Sequence, residues 1–265
     1  MLLCLLCASH VKCAEQVRTL KRVLDSLLLH QVDPRFRLHL SISHDPKLLD
    51  ARDLEALSRT ITEASADEAR FFLHDKGAVC EPLSQFEHLG SIVDVLDGGG
   101  GDEEIWCGFL DDDDYCHRDR TRIMNGELRK KSVSSSVLLF SRSVRCAHLR
   151  SEQTHVPPSS VLPWNREEYV SLLVRRDVVV RTIVDVQEID KKSILATSFD
   201  ESFKNRLLPV ATRIPWEYVS EKYGAPWMYL YVFDDGRSRP QVTQALRFAC
   251  RDDFATLHRK YGLVD

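Results

Sequence analysis

Apolar positions in the first half of the chain alternate between two rhythms. Leu2-Leu-Cys-Leu-Leu-Cys-Ala8 is an unbroken apolar run, the pattern of a strand covered on both faces, and a polar turn through Ser9, His10 and Lys12 follows it. Val17, Leu20, Val23, Leu24, Leu27 and Leu28 then recur at helical spacing, with Glu15, Arg18, Lys21, Arg22 and Asp25 between them, so a helix with one apolar face is predicted. After Asp33-Pro34, the stretch Phe36 to Ser43 alternates as a second strand and ends in the turn chemistry of Ser43-His-Asp-Pro46. Such a βαβ unit is parallel and right-handed.

The rhythm continues. A helical stretch over 50–63 leads into Arg70-Phe-Phe-Leu-His74, a short strand closed by Asp75-Lys-Gly77. Glu81-Pro82 opens a further helix with the apolar stripe Leu83, Phe86, Leu89, Ile92 and Val93, and Asp97-Gly-Gly-Gly-Gly101 ends it. Ile105 to Leu110 is again an apolar run of strand length, and it stops at the carboxylates Asp111, Asp112, Asp113 and Asp114. Ligands of open α/β sheets gather beyond the carboxyl ends of the strands, which is where this acidic run falls. Adjacent like charges repel. They are relieved either by water, as a solvated loop, or by a divalent cation with oxygen ligands.

The second half is less regular. Ser136 to Phe140 reads as a strand, and Tyr169 to Val174 with Val178 to Val184 reads as a hairpin turned at Arg175-Arg-Asp177. The stretch Ser151 to Pro163, rich in serine and proline, reads as a loop. Asp200 opens a helix with Phe203 and Leu207 on its apolar face, where an acidic cap by itself satisfies free N–H groups and the helix dipole. Trp227-Met-Tyr-Leu-Tyr231 reads as a strand covered on both faces, Asp234-Asp-Gly236 as a turn, and 241–261 as a closing amphipathic helix. Trp216 and Trp227 are candidates for stacking on a sugar ring, with core packing the plainer role.

Composition narrows the function. A chain of 265 residues with 43% hydrophobic content suits one domain over 1–265. A net charge of -4 gives no general electrostatic case for nucleic acid or an anionic membrane as partner. No apolar run has the length of a membrane span, and Met1 to Ala8 lacks the basic start and length of a signal peptide, so a cytoplasmic protein is expected. The eight cysteines are then expected to be reduced, and Cys4-x-x-Cys7 has no second pair to complete a zinc site. Neither GxGxxG nor GxxxxGK[ST] occurs, which argues against standard dinucleotide and P-loop chemistry.

The N-terminal strand, the helix carrying Val17 to Leu28 with Gln31 after it, the strand Leu38 to Ser43 and the strand-end Phe109-Leu-Asp-Asp-Asp-Asp114 together resemble a nucleotide-sugar-dependent glycosyltransferase of the GT-A fold, the kind with a DxD motif. The resemblance covers 1–125 well and 165–235 loosely. It implies an α/β fold: a GT-A-like mixed central sheet with a Rossmann-like nucleotide-binding half over 1–125, an acceptor-binding half over 126–265 and helices on both faces. It also implies Mn²⁺ or Mg²⁺ as cofactor, a nucleotide-sugar donor (UDP-sugar favoured) and a hydroxyl acceptor on a glycan, protein or small molecule.

By that resemblance Asp111 and Asp113 match the metal-binding pair, with Asp112 between them; Asp112 and Asp114 form an equally good alternative register. Asp200 and Glu201, with Arg206 after them, resemble the acidic pair at a helix start in inverting members, where one carboxylate takes the acceptor proton as general base. Ser9, Asp45 and Lys76, after the first three strands, are candidate nucleotide contacts with Asp111 and Asp112. Two rivals carry different chemistry: a nucleotidyltransferase, for which Ser9-His-Val-Lys12 is a poor triphosphate loop, and a non-catalytic binding module of the same fold.

Overall fold

In the computed structural model the chain is described over residues 1–80, 83–96, 104–113, 115–130, 135–149, 161–163, 168–189, 199–225 and 227–234. The elements in order are β1 (Leu2–Val11), α1 (Ala14–Leu28), β2 (Arg37–His44), α2 (Ala51–Ser65), β3 (Phe71–Ala78), α3 (Gln85–Leu96), β4 (Ile105–Leu110), β5 (Tyr115–Cys116) and α4 (Arg120–Leu128). They continue with β6 (Val137–Ser141), β7 (Val144–Leu149), β8 (Val161–Pro163), β9 (Leu172–Arg175), α5 (Arg176–Ile189), α6 (Phe199–Leu207), β10 (Thr212–Pro215), α7 (Trp216–Tyr223) and β11 (Tyr229–Asp234).

Seven strands form a sheet in the order β10-β6-β9-β4-β1-β2-β3. β4, β1, β2 and β3 are mutually parallel, and β9 runs antiparallel to both β4 and β6. This is the mixed sheet with a parallel N-terminal half that the sequence predicts. Right-handed crossovers fix the layers. α1 and α2 lead from β1 to β2 to β3 and so share one face, whereas α3 leads back across to β4 and covers the other. The central strands are apolar on both sides: Leu3 to Cys7 and Trp106, Cys107, Phe109 and Leu110 are all buried. A smaller sheet, β5-β11-β7-β8, closes over the end of β4.

Several expectations are corrected. Val178 to Val184 is no strand: it lies in α5, with Val179, Thr182 and Ile183 buried at helical spacing, so packing overrides the β preference of its valines. No hairpin forms there, and Tyr169–Ser171 makes a 3₁₀ turn before β9 begins at Leu172. β1 runs past the expected turn to Val11, and β3 runs through Asp75-Lys-Gly77, where Gly77 takes a positive φ of 67° and the register with β2 shifts. Within the expected loop, Val161–Pro163 pairs with β7; residues 151–160, the turn at 235–236 and the helix expected over 241–261 lie outside the described residues.

Candidate functional site

β4 ends at Leu110 because the chain there meets carboxylates that cannot continue a buried strand. Asp111, Asp112 and Asp113 are half-buried, and each is tied to a different element. The Asp111 N–H donates to the Tyr229 hydroxyl of β11 at 2.9 Å, and its Oδ1 accepts from the Tyr169 hydroxyl and from Gln85 Nε2 at 3.4 Å. Gln85 Nε2 also donates to the Tyr169 oxygen at 3.2 Å, linking α3 to the same cluster. Asp112 Oδ2 accepts from Ser9 Oγ of β1 at 2.5 Å, and the Asp113 carbonyl accepts from Arg22 of α1. Burial pushes the Cys7 thiol well up, and the charges of Asp112, Asp111 and Asp113 raise it further, so the acids lie over the end of β1 and Cys7 stays a protonated thiol.

Asp45 follows β2, and its N–H donates to the Val11 carbonyl at 2.9 Å, which brings it to the end of β1. Its Oδ1 accepts from Lys47 N–H at 2.8 Å. Ser9, Asp45 and the acidic run thus gather at the carboxyl edge of three neighbouring strands, as the sequence suggests. Lys76 is on exposed edge strand β3, and its charge acts on His74 and His88.

α6 begins at Phe199, so Asp200 and Glu201 fall in its first turn, two and three residues beyond the cap position, rather than opening the helix. α6 docks beside the acidic strand. The Phe203 ring, fully buried, meets the Phe109 ring edge-on at 4.9 Å, two residues before Asp111. Lys204 lies 3.6 Å from Glu168, next to the 3₁₀ turn that supplies Tyr169, and Arg206 reaches Asp185 at 4.0 Å. Asp114 lies outside the described residues, so the Asp112/Asp114 register has no geometry to compare with Asp111/Asp113. Trp216 is buried at the start of α7, and Trp227 meets His117 edge-on at 4.8 Å; Trp216 is thus a core residue.

Arg120, fully buried in α4, is the residue that sequence reasoning missed. Its guanidinium donates to the carbonyls of Phe109 at 2.8 Å and Val170 at 3.0 Å, reaches Cys116 Sγ at 3.2 Å and lies 4.9 Å from the centre of the Tyr229 ring. It therefore clamps β4, the Tyr169 turn, β5 and β11 around the acids. A lone arginine in a polar stretch gives no sequence signal of this. Tyr169 and Tyr229 were likewise legible only as apolar strand residues.

The carboxylate set suits a hard divalent cation, which takes oxygen ligands and commonly uses one or two carboxylates with substrate phosphates and water. Among the described residues no group of three or more His, Cys, Asp or Glu side chains converges as a metal cage. Asp111 and Asp113 are thus two half-buried carboxylates two positions apart at the end of β4. No described helix is long and apolar enough to cross a membrane.

No family model matches the chain, and no curated protein does. Among solved structures, S. aureus TarS 1–349 superposes with a TM-score of 0.47 at 12% identity over 88% of this chain and 60% of TarS 1–349. At that level the likeness carries no argument. The galactosyltransferase LgtC, solved with donor and acceptor sugar analogues, gives 0.43 at 10% identity over 99% of this chain and 97% of its own. A 4-diphosphocytidyl-2C-methyl-D-erythritol synthase gives 0.42 at 13% identity over 93% and 97%. The chain spans 39% of the longer TarS structure.

Proposed function

We propose that the protein is a metal-dependent glycosyltransferase that moves a sugar from a nucleotide diphosphate, UDP in the favoured case, to a hydroxyl acceptor. The observation that carries this reading is the acidic stretch Asp111 to Asp113 at the carboxyl end of β4, drawn across the end of β1 by the Ser9 to Asp112 hydrogen bond. In this reading Asp111 and Asp113 would hold Mn²⁺ or Mg²⁺, and Ser9, Asp45 and Lys76 would line the nucleotide side with Asp112. When bound, the cation acts as a Lewis acid for the charge that grows on the leaving diphosphate.

The chain's own residues do the rest. Tyr169 and Gln85 fix the Asp111 carboxylate in one orientation, and Tyr229 fixes its backbone, so little reorganisation is needed when charge develops. α6 is held against the acidic strand by Phe203 on Phe109, which brings the first turn carrying Asp200 and Glu201 to this side of the sheet. One of these carboxylates takes the acceptor proton during a single, inverting displacement.

The test is turnover. A panel of UDP-sugars incubated with the protein, Mn²⁺ and simple glycoside or alcohol acceptors is expected to release UDP with at least one donor. Asp113→Ala is expected to abolish release, while Asp200→Asn and Glu201→Gln lower transfer by about a hundredfold or more at one of the two positions and leave UDP affinity unchanged. Pyrophosphate release from nucleoside triphosphates instead would make it a nucleotidyltransferase.

A further inference from the structure

At the amino end of the sheet, away from the acidic run, a cavity of about 570 Å³ opens between the start of β2, the residues just before β3 and the end of α4. Phe36 and Leu128 supply apolar wall, and Arg35, Arg37, Arg70 and Arg129 supply four guanidiniums. Among the described residues no carboxylate lines it. Strand register sets this arrangement. Cys4 of β1 pairs with Arg37, and the Leu38 N–H donates to the Arg70 carbonyl at 2.6 Å, so the segments carrying Arg35, Arg37 and Arg70 start side by side. Asn125 Nδ2 of α4 donates to the Arg35 carbonyl at 2.9 Å, which brings the last turn of α4, with Arg129 after it, to the same edge. Leu2 and Ser9 lie about 23 Å apart along β1 at the rise of an extended strand. The cavity is therefore separate from the edge where Ser9 meets Asp112.

Like charges around one cavity repel, and the chain as a whole is acidic, with a net charge of -4. Only two carboxylates answer the four arginines, and both act from outside the cavity. Asp33 accepts from Nε and Nη2 of Arg35 at 2.8 and 2.7 Å. Asp67 accepts from Nε of Arg70 at 2.7 Å, and the Leu28 carbonyl accepts from its Nη2 at 2.9 Å. Neither Asp33 nor Asp67 lines the cavity, so each fork is fixed from behind with its Nη1 group unused among the described residues. The Arg37 guanidinium lies 5.5 Å from the centre of the Phe72 ring, and the Arg37 and Arg129 side chains make no hydrogen bond or ion pair among the described residues. Scattered surface arginines are ordinarily just solvated. These four come from separate segments, share one concave space and include two that are held in place before any ligand arrives.

We infer that this cavity is a second binding site, for a phosphate-bearing ligand, with Arg37 and Arg129 as its charge partners and Arg35 and Arg70 as pre-positioned donors. Guanidinium forks match the oxygens of a phosphate group and stay charged at every physiological pH. A volume of about 570 Å³ lies within the roughly 300–1,000 Å³ of small-molecule sites, more than a bare phosphate needs. The apolar wall of Phe36 and Leu128 suits the organic body of a phosphate ester. That chemistry has two sources, a soluble phosphorylated molecule and the headgroup of an anionic lipid. The site stands independently of the nucleotide site proposed above.

The test uses two probes on the whole chain. Pyrophosphate is titrated calorimetrically in metal-free buffer at low ionic strength, and vesicles of phosphatidylglycerol in phosphatidylcholine, against phosphatidylcholine alone, are tested by co-sedimentation. Binding of pyrophosphate without capture by vesicles is expected for a soluble ligand; capture by the anionic vesicles, reversed by pyrophosphate, is expected for a headgroup. Either signal is expected to weaken about fivefold to tenfold in Arg37→Gln and in Arg129→Gln. Both side chains are exposed, so these variants are expected to keep the urea midpoint of the unaltered protein. Arg59→Gln, an exposed position on α2, is expected to change the signal less than about twofold. Binding of neither probe, an unchanged signal in both cavity variants, or an equal loss in Arg59→Gln would each overturn the inference. So would a parallel loss of Mn²⁺-dependent UDP binding in Arg37→Gln and Arg129→Gln, since the effect would then not be local to the cavity.

Discussion

Ser9 and Asp112, 103 positions apart, meet at 2.5 Å across the ends of β1 and β4. The contact ties the strand that opens the sheet to the acidic run that ends its fourth strand, and it makes one edge out of two segments. Hydrogen bonds to charged groups are worth more than neutral ones, so Ser9→Ala is expected to cost about 2 kcal/mol of stability, measured as a lower urea midpoint at unchanged slope. It is also expected to weaken Mn²⁺-dependent UDP binding by a fewfold. A variant that loses neither would show that Ser9 holds neither the strand ends nor the nucleotide.

Arg120 is expected to be the most sensitive position outside the acids. Truncation to Ala would leave the Phe109 and Val170 carbonyls without their buried donor and open a cavity beneath Tyr229. A loss of about 3 kcal/mol or more is expected from those two effects together, read from urea unfolding. Arg120→Lys should recover only part, because an ammonium cannot span both carbonyls with the guanidinium's fixed fork.

Acid is expected to destabilise the fold through two buried imidazoles. Burial, with His74 and Arg37 nearby, holds His39 down to about 3, and burial with His10 and Lys76 holds His88 down to about 4. Both are depressed below the unfolded value of about 6.5, so the unfolded chain takes up protons first as pH falls. The contribution is complete above pH 6.5 and shrinks below it, by up to about 2 kcal/mol per histidine at pH 5. Urea midpoints at pH 7.5, 6.0 and 5.0 check this. His88→Asn should flatten the slope, and an unchanged slope would argue against a buried neutral His88.

The parallel half of the fold was legible because its signals are local. β1, β2 and β4 are apolar runs of strand length, and α1 and α2 carry clean stripes, so pattern alone yields the order of elements. α5 was misread because Val178-Val-Val has the composition of a strand, while its neighbours on α3 and β9 decide that Val179 and Ile183 pack as a helix face. The position of the acidic run at the end of β4 was legible for the same local reason. Their supports were not: Tyr169, Gln85, Tyr229 and Arg120 reach Asp111 or its strand from 26 to 118 positions away or through backbone carbonyls, and no one-dimensional pattern records such contacts.

Calorimetric titration of UDP with and without Mn²⁺, on the unaltered protein and on Asp113→Ala, is the most direct measurement. Binding that requires Mn²⁺ and is lost in an Asp113→Ala protein with an unchanged circular dichroism spectrum is the expected result. Absence of UDP binding in the presence of Mn²⁺, or equal binding by Asp113→Ala, would contradict a metal-bridged nucleotide site at the end of β4.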